Sequence, residues 1–426
     1  MTQYWQHTDL TAAAVGVQTD YVTPYAYVTG QPAEGQIPRV LYVPDWGNGG
    51  DIHEVRFQNG NWIDADLSTL LTNFSGDFQG EVLAMGYQTP DGVARVVFLG
   101  LDGWVQEFKL ETDGWTVANL SAIAGMTNKM GFSRAQPYSI PAWGYYSTPD
   151  GHARVVYSAT DGHVHELSLH YTDPHSGWID SDLNALAIAG GWDAPNRYND
   201  PFGYLAGDSI PRVVYNDADS FGVRELRLEP GGWICANIGA LANAPPGMPV
   251  NMEGEIIGAV DTTAYVMPDA IARVVYLGND GHAHELKLVN NQSAWLDTDL
   301  TQKSGSPTTP AGMLYGCCGS DGIARAFYPG NDGHLHHFSY QNGGWSDEDL
   351  FANGIVVNPP PGGIAATSST GMIPYAYAFG GAVQIVYPGG DQHIHLLSQI
   401  LGTGHERHKT WQQRKRRGTM LSRTRL

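Results

Sequence analysis

An arginine is followed at a nearly fixed distance by a glutamate at five places along the chain. The separation is 12 residues in three places, 13 in the fourth and 15 in the fifth. The pairs are Arg95 and Glu107, Arg154 and Glu166, Arg273 and Glu285, Arg212 and Glu225, and Arg39 and Glu54. A guanidinium held beside a carboxylate offers fixed donors and acceptors, which suits a ligand rich in hydroxyl groups. The alternative is an ion pair that only supports the fold.

The residues inside each pair predict how its two members are held. The segment from Gly278 to Gly281 reads Gly-Asn-Asp-Gly, and Asn/Asp-Gly supplies the positive φ angles of tight hairpin turns. If the hairpin centres on Asn279, then Arg273 and Glu285 lie directly opposite each other on adjacent antiparallel strands and project to one face. We expect that face to line a groove between neighbouring structural units.

Histidines form a second regularity, two residues apart in four places. The pairs are His163 and His165, His282 and His284, His334 and His336, and His393 and His395. Residues two apart on a strand share a face, so each pair could supply two metal ligands. No third ligand is identifiable from the spacing, and packing and hydrogen bonding at the hairpins explain the pattern better. We therefore predict no metal and no cofactor.

The elements that position these residues repeat along the chain. Strand-like segments beginning Ala- or Pro-Arg start at residues 38, 94, 153, 211, 272 and 324, and a weaker copy with Gln384 starts at 383, so that successive copies lie 52 to 61 residues apart. Each copy leads into a hairpin, a second strand and then a tryptophan with Leu or Ile five residues later. With an apolar segment before each arginine strand, a period holds four short strands, the content of one β-propeller blade.

The two ends of the chain predict how the ring closes. No tryptophan strand follows the seventh copy, but Trp5 and Leu10 near the N-terminus have the same spacing. We therefore predict an all-β, seven-bladed propeller over residues 1–401, whose N-terminal strand completes the C-terminal blade. We expect the repeated tryptophans in the core rather than in contact with ligand. They are Trp5, Trp62, Trp115, Trp178, Trp233, Trp295 and Trp345.

Charge and composition limit the partners. The formal net charge is −20, and residues 402–426 hold eight Lys/Arg and one acid, leaving 15 basic and 42 acidic residues before them. Such an acidic body is expected to repel nucleic acid. The basic tail could contact nucleic acid or anionic lipid, but we expect a disordered extension. No signal peptide or membrane-length apolar run is visible, so we expect a soluble protein of unassigned compartment. Three cysteines do not form a disulfide framework.

Catalytic signatures are missing from the sequence. It contains neither a Gly-x-Ser-x-Gly elbow nor a His-Glu-x-x-His helix, and similar polar sites recur around a ring instead of forming one asymmetric centre. Aromatic residues that could stack on a ligand are Trp104, Trp143, Trp192, Tyr145, Tyr204 and Tyr315. The residues alone do not assign these rings to sites.

The repeated motif resembles that of a known family. Ala-Arg-Val-Val-Tyr, then Asp-Gly-His-x-His-Glu-Leu, then Gly-Trp is similar to the fucose-binding propeller lectins, and the blade count and the strand from Trp178 to Leu183 look most like the bacterial seven-bladed Photorhabdus-type lectins. The arginine–glutamate pairs resemble those of the six-bladed Aleuria-type fungal lectins, in which the pair holds fucose hydroxyls. The resemblance nominates all five pairs as ligand-binding, with Arg39 and Glu54 weaker because their turn is longer. It departs at Arg325, matched by His337, and at Gln384, matched by Leu396.

These observations predict a non-enzymatic, multivalent lectin for fucosylated or O-methylated glycans, with sites between adjacent blades and the ability to form a homo-oligomer. Two alternatives stay open. One is a propeller that serves as a protein-interaction scaffold, because a fold alone does not fix a function. The other is a glycoside hydrolase or lyase with a site at the central channel.

Overall fold

A computed structural model of the chain describes residues 5–18, 24–30, 35–44, 51–71, 84–89, 92–100, 103–128, 142–147, 151–170, 177–197, 201–248, 262–289, 294–352, 356–357 and 374–400. The predicted seven-bladed propeller is confirmed, since the strands in this part of the chain form seven antiparallel blades. The predicted tail, residues 402–426, and the turn from Trp46 to Gly50 lie outside the described residues.

The first six blades each use four consecutive strands. Blade 1 contains β2 (Tyr25–Thr29), β3 (Ile37–Tyr42), β4 (His53–Gln58) and β5 (Asn61–Asp66). Blade 2 contains β6 (Ala84–Gln88), β7 (Ala94–Leu99), β8 (Val105–Glu111) and β9 (Gly114–Asn119). Blade 3 contains β10 (Ala142–Ser147), β11 (His152–Ser158), β12 (Val164–His170) and β13 (Ile179–Asp182).

The next three blades repeat this order. Blade 4 contains β14 (Phe202–Leu205), β15 (Pro211–Asn216), β16 (Val223–Glu229) and β17 (Gly232–Asn237). Blade 5 contains β18 (Thr263–Val266), β19 (Ala272–Leu277), β20 (Ala283–Val289) and β21 (Ala294–Asp299). Blade 6 contains β22 (Tyr315–Cys318), β23 (Ala324–Pro329), β24 (Leu335–Gln341) and β25 (Gly344–Asp349).

The seventh blade joins the two ends of the chain, as the sequence predicts. Its inner strands are β27 (Tyr375–Phe379), β28 (Ala382–Pro388) and β29 (Ile394–Gln399), and the N-terminal strand β1 (Trp5–Asp9) pairs antiparallel with β29. A short strand, β26 (Val356–Val357), pairs in parallel with β1 on its outer side. The strand that closes the ring therefore has partners on both edges, which leaves no long unpaired edge there.

Short helical turns follow the outer strands. They are α1 (Leu10–Ala14), a 3-10 turn (Ser68–Leu71), α2 (Leu120–Ile123), α3 (Leu183–Ala189), α4 (Ile238–Ala242) and α5 (Leu300–Ser304). Each α-helix is capped by an Asp or Asn whose side chain accepts the N–H three residues later, as Asp299 does from Gln302 at 2.8 Å. The Leu or Ile predicted from the spacing is the first residue of each α-helix. It is buried, so the start of the helix packs against the blade.

The core lies between the blades, because both faces of each inner strand are covered. Val274 and Val275, adjacent in β19, are both 0% exposed, as consecutive apolar residues predict. Of the seven repeated tryptophans, Trp5, Trp178, Trp233 and Trp295 are buried, which confirms the prediction for these four. Trp62, Trp115 and Trp345 are only half-buried. Within the described residues no helix is long and apolar enough to cross a membrane.

Candidate functional site

The arginine and glutamate of each predicted pair come together on one face of their blade. Arg273 Nη1 donates to Glu285 Oε1 at 2.5 Å, and the other four pairs are bonded through the same guanidinium nitrogen. Their shortest separations are 2.7 Å for Arg39 and Glu54, 2.8 Å for Arg95 and Glu107, 2.6 Å for Arg154 and Glu166, and 3.0 Å for Arg212 and Glu225. The spacing thus predicted the pairing correctly in all five blades.

The predicted register within the hairpin is wrong. Arg273 lies opposite Lys287, and Glu285 lies opposite Val275, so the pair is diagonal rather than directly opposite. The turn is a five-residue loop closed by the Gly278 N–H, which donates to the His282 carbonyl at 2.8 Å. This loop centres the hairpin on Asp280 rather than Asn279. Because side chains alternate with a period of two, the resulting two-residue change in pairing keeps both members on one face.

A tyrosine completes the site in four blades, and sequence reasoning missed it. Tyr265, directly opposite Arg273 on the first strand, donates its hydroxyl to Glu285 at 2.6 Å. Tyr27, Tyr87 and Tyr204 make the same contact with Glu54, Glu107 and Glu225. We call each Tyr–Arg–Glu set an interblade triad. A tyrosine eight residues before the arginine, as in blades 2, 4 and 5, was the available signal.

Burial and charge fix the protonation states within the triads. Burial, reinforced by the charge of Glu285, raises the pKa of Tyr265 well above its usual value, so the phenol stays a neutral donor. Burial also raises the pKa of Glu285, while the bonds from Arg273 and Tyr265 oppose that rise. The pKa of Arg273 is raised: burial lowers it, but the nearby Glu285 raises it more. The triad is therefore a neutral phenol joined to an ion pair.

The triads are nearly sealed from solvent. The five arginines are 2–6% exposed and the five glutamates 0–3%. The reason is the next blade: a Cβ built on Gly86 would collide with the Tyr27 ring, and one on Gly316 with the Tyr265 ring. The first strand of each following blade thus lies on the triad of the preceding one. The predicted face is an interface between blades rather than an open groove, and direct contact of these ten residues with a ligand stays a prediction.

At two boundaries, a tryptophan of an outer strand lies close to the arginine of the preceding blade or to the residue that replaces its glutamate. The Arg39 guanidinium carbon of blade 1 lies 5.9 Å from the centroid of the half-buried Trp115 ring in blade 2. At the boundary of blades 6 and 7, the Trp5 ring lies 6.1 Å from His337, which replaces the glutamate. Burial and the nearby Arg325 lower the pKa of His337 to about 3, so this imidazole is neutral. The seventh blade has Gln384 and Leu396 instead of a charged pair.

The other aromatic candidates have different positions. Tyr204 belongs to a triad, Trp192 is 45% exposed after α3, and Trp104 is half-buried. Tyr315 lies on the first strand of blade 6, its ring 4.4 Å from Tyr375 and 6.5 Å from Phe202 of blade 4. The side chains of Trp143 and Tyr145 lie outside the described residues. Blades 4 and 6 are not neighbours, so the contact between Phe202 and Tyr315 reaches past blade 5 at the inner strands.

The histidine pairs sit among aspartates rather than beside open coordination positions. Five Asp–His–Asp groups in the described chain bring potential ligand atoms within 4.8 Å of one another. In blade 5, His284 contacts Asp297 through Nδ1 at 3.0 Å and Asp280 through Nε2 at 3.1 Å. Burial lowers the pKa of His284, but bonding to Asp297 and the two carboxylate charges outweigh it and raise the pKa. Both ring nitrogens of His284 are thus in contact with carboxylates, and these bonds account for the arrangement of the group.

In blades 2 and 4, the residue at the histidine position and the two outer-strand aspartates are all different. Where blade 4 has Arg224 at the His284 position, its Nε donates to Asp217 at 2.9 Å, while Cys235 and Asn237 replace the two outer-strand aspartates. Blade 2 has the neutral Gln106, with Val117 and Asn119 at the aspartate positions. Arg224 in place of the histidine keeps a positive charge next to Asp217, as an ion pair requires.

Comparison with known proteins gives similarity at the level of fold. No family model matches the chain, and no curated protein matches it by sequence. The BP39L lectin from Burkholderia pseudomallei is 13% identical, with 90% of this chain and 96% of that one covered and a TM-score of 0.56. AofleA from Arthrobotrys oligospora is 14% identical over 84% of this chain and 95% of that one (TM-score 0.47), and the Aleuria aurantia lectin is 15% identical over 78% and 96% (TM-score 0.45). The chain therefore has the propeller fold of a known lectin, and the resemblance predicted from the sequence is confirmed in its fold.

Proposed function

We propose that this chain is a multivalent carbohydrate-binding lectin for fucosylated or O-methylated glycans, with its sites at the boundaries between adjacent blades. One observation carries the proposal. At the boundary of blades 1 and 2, Arg39, held by Glu54, lies over the ring of the half-buried Trp115, 5.9 Å from its centroid. A sugar needs polar groups for its hydroxyls and an apolar ring for its C–H face, and this boundary brings both together.

The five arginine–glutamate pairs form the base of these sites. Each of these arginines is 2–6% exposed, and the glutamate bonded to it holds its guanidinium in place. The nominated residues are Arg39 and Glu54, Arg95 and Glu107, Arg154 and Glu166, Arg212 and Glu225, and Arg273 and Glu285. The choice of fucose rests on the motif resemblance, whereas the general choice of a hydroxyl-rich ligand rests on the geometry.

Repetition of the site gives the expected mode of binding. A single shallow sugar site is typically weak, near a Kd of about 1 mM. Several such sites on one rigid ring raise avidity by roughly 10²–10⁴ where a glycan surface matches their spacing. The affinity for a densely coated surface should therefore far exceed the affinity for a free sugar.

The inner strands bring aromatic rings together near the centre of the ring of blades. Phe202 lies near Tyr315, and Tyr315 near Tyr375. Tyr25 of blade 1 joins this group, 5.6 Å from Tyr375, and is 2% exposed. Aromatic packing of this kind stabilises the ring of blades.

A glycan array read with and without a chelator tests the function. Binding to fucosides or O-methylated sugars that survives chelation supports the proposal. Silence on every glycan favours the scaffold, and turnover of any sugar favours the enzyme.

A matched pair of variants tests where the sugar binds. Calorimetric titration with a monovalent methyl fucoside should show fewer sites for Trp115→Ala than for the unmodified chain. Trp62→Ala is the control, because Trp62 is also half-buried but borders blade 7, where Gln384 and Leu396 replace the pair. Equal losses in both variants would contradict the assignment of the site to boundaries that carry a pair.

A further inference from the structure

We call the pairing of β1 with β29, which closes the ring, the seam. It differs from blades 1, 3, 5 and 6 at one position. In blades 1, 3, 5 and 6, the buried histidine of the third strand bonds to an aspartate of the outer strand. These contacts join His53 to Asp64 at 2.8 Å, His165 to Asp180 at 3.3 Å, His284 to Asp297 at 3.0 Å and His336 to Asp347 at 3.2 Å. In blade 7 the outer-strand residue at this position is His7, and its Nε2 lies 2.8 Å from His395 Nδ1.

A histidine–histidine bond tolerates fewer protons than a histidine–aspartate bond. His395 already bonds to Asp391 through Nε2 at 2.8 Å. Its Nδ1 and His7 Nε2 can share one proton, with one nitrogen donating and the other accepting. A second proton puts hydrogens on both nitrogens, which removes the bond and leaves two cations with ring centroids 4.9 Å apart. The aspartates of the other four blades accept from a protonated ring without this conflict.

Among the described residues, two carboxylates bond to the histidines of β29 at the seam. Asp391 bonds to His395, and Asp9 of β1 bonds to His393 Nδ1 at 2.7 Å. Tyr387 of β28 stacks on His395 at 5.5 Å, and His393 lies 6.3 Å from His395. Strand β26, on the other side of β1, consists of two valines, and α1 holds no ionisable residue.

We propose that the pair of His7 and His395 is an acid-sensitive clasp, which holds the closing strand β1 on β29 near neutral pH and weakens when both rings become protonated. Histidine is the side chain whose charge ordinarily changes between pH 5 and 8, so the clasp weakens on acidification through that range. Because β1 is the strand that completes the last blade from the N-terminal end of the chain, the seam is where acid would first open the ring. The same acidification leaves the histidine–aspartate bonds of blades 1, 3, 5 and 6 intact.

Hydrogen exchange on the full chain at pH 7.5 and pH 5.0 tests the clasp. Corrected for intrinsic rates, protection of the amides shared by β1 and β29 should fall about tenfold at pH 5.0, the size expected for one lost bond plus repulsion of two cations. Protection of β20 and β21 in blade 5 should not fall. His7→Asp, which installs the aspartate of the other four blades, should abolish the acid-dependent loss at the seam.

A second variant and a second measurement keep the test decisive. His7→Asn removes the titrating ring without adding charge, and it should also abolish the loss. Nitrogen chemical shifts of labelled histidines should show that His7 and His395 take up their two protons in separate steps. The proposal would be overturned if amide protection at the seam of the unmodified chain did not fall at pH 5.0. It would also be overturned if both variants lost as much protection as the unmodified chain, or if the two rings titrated independently.

Discussion

Removal of one triad carboxylate shows how strongly the triads join neighbouring blades. In Glu285→Ala, the guanidinium of Arg273 keeps its charge at 5% exposure but loses the oxygen that it contacts at 2.5 Å. Tyr265 loses its acceptor as well. An uncompensated charge in the interior costs about 3–5 kcal/mol, so we expect a decrease of that size in the free energy of unfolding.

A double variant separates the burial of charge from the loss of contacts. Arg273→Gln combined with Glu285→Leu copies the residues of blade 7, Gln384 and Leu396. There Ser398 donates to Gln384 at 2.5 Å, and the Tyr377 hydroxyl is buried without a hydrogen-bond partner among the described residues. Because no buried charge remains, we expect this variant to lose less stability than Glu285→Ala, despite the larger change in sequence. The remaining loss, about 1–3 kcal/mol, is the cost of a buried hydroxyl without an acceptor.

The assay is urea unfolding followed by tryptophan fluorescence, with hydrogen exchange of β18 and β22 to confirm that the effect is local to the boundary of blades 5 and 6. A double variant as unstable as Glu285→Ala would refute the reasoning, because the cost would then come from lost contacts rather than from an unpaired charge. Equal stability of Glu285→Ala and the unmodified chain would refute the interblade role of the triad.

Two further predictions follow from the same contacts. Gly86→Ala places a methyl group against the Tyr27 ring and should lower the stability measured by thermal unfolding by about 1–3 kcal/mol. Gly231→Ala, with no atom within 4 Å of its new Cβ, should cost far less. Similar losses in the two variants would contradict the packing of blade 2 on the triad of blade 1. Bonds to aspartate and nearby carboxylate charges outweigh burial and raise the pKa values of His53, His165, His284 and His336, so their contribution to stability is full below about pH 6.5 and is lost as pH rises through the raised values. The Tm should therefore be higher at pH 6 than at pH 8.5, and His284→Gln, which copies Gln106 of blade 2, should reduce that difference; a Tm independent of pH over this range would contradict the assignment.

The blade count and the closure were predictable because they depend on spacing alone. Six arginine strands and one glutamine strand at similar intervals define seven units, and the outer strand missing after His395 is found at Trp5. In blades 1 to 6 each strand pairs with its neighbour in sequence, so a local pattern is enough to order such a blade. The same logic gave the shared face of Arg273 and Glu285, since a face depends only on whether a residue is at an odd or even position.

The burial of the pairs was not predictable from one repeat, because the next blade provides the cover. The pattern within a blade states which side chains share a face, but not what packs on that face. One signal was present: the residue before the first-strand tyrosine, or its equivalent, is Gly or Ala at six places, namely Ala26, Gly86, Gly203, Ala264, Gly316 and Ala376. Small residues at a fixed position allow close approach of a neighbouring strand. Seen together with the tyrosines, they indicate a packed interface.

The seven repeats also act as natural variants of one blade, and they separate two kinds of polar residue. Where the histidine of the third strand is replaced, at Arg224 and Gln106, the two outer-strand aspartates are replaced too, whereas blade 7 keeps His395 beside His7. Exposure of the outer-strand tryptophan varies separately from the arginine–glutamate pair: Trp115 and Trp295 both follow blades with an intact pair, yet only Trp115 is half-buried. A buried pair common to several blades can support a site but cannot distinguish one blade from another. Differences in sugar affinity among the sites should therefore follow the exposure of the outer-strand tryptophan at each boundary. If measured affinities did not correlate with that exposure, the ligand would have to bind elsewhere.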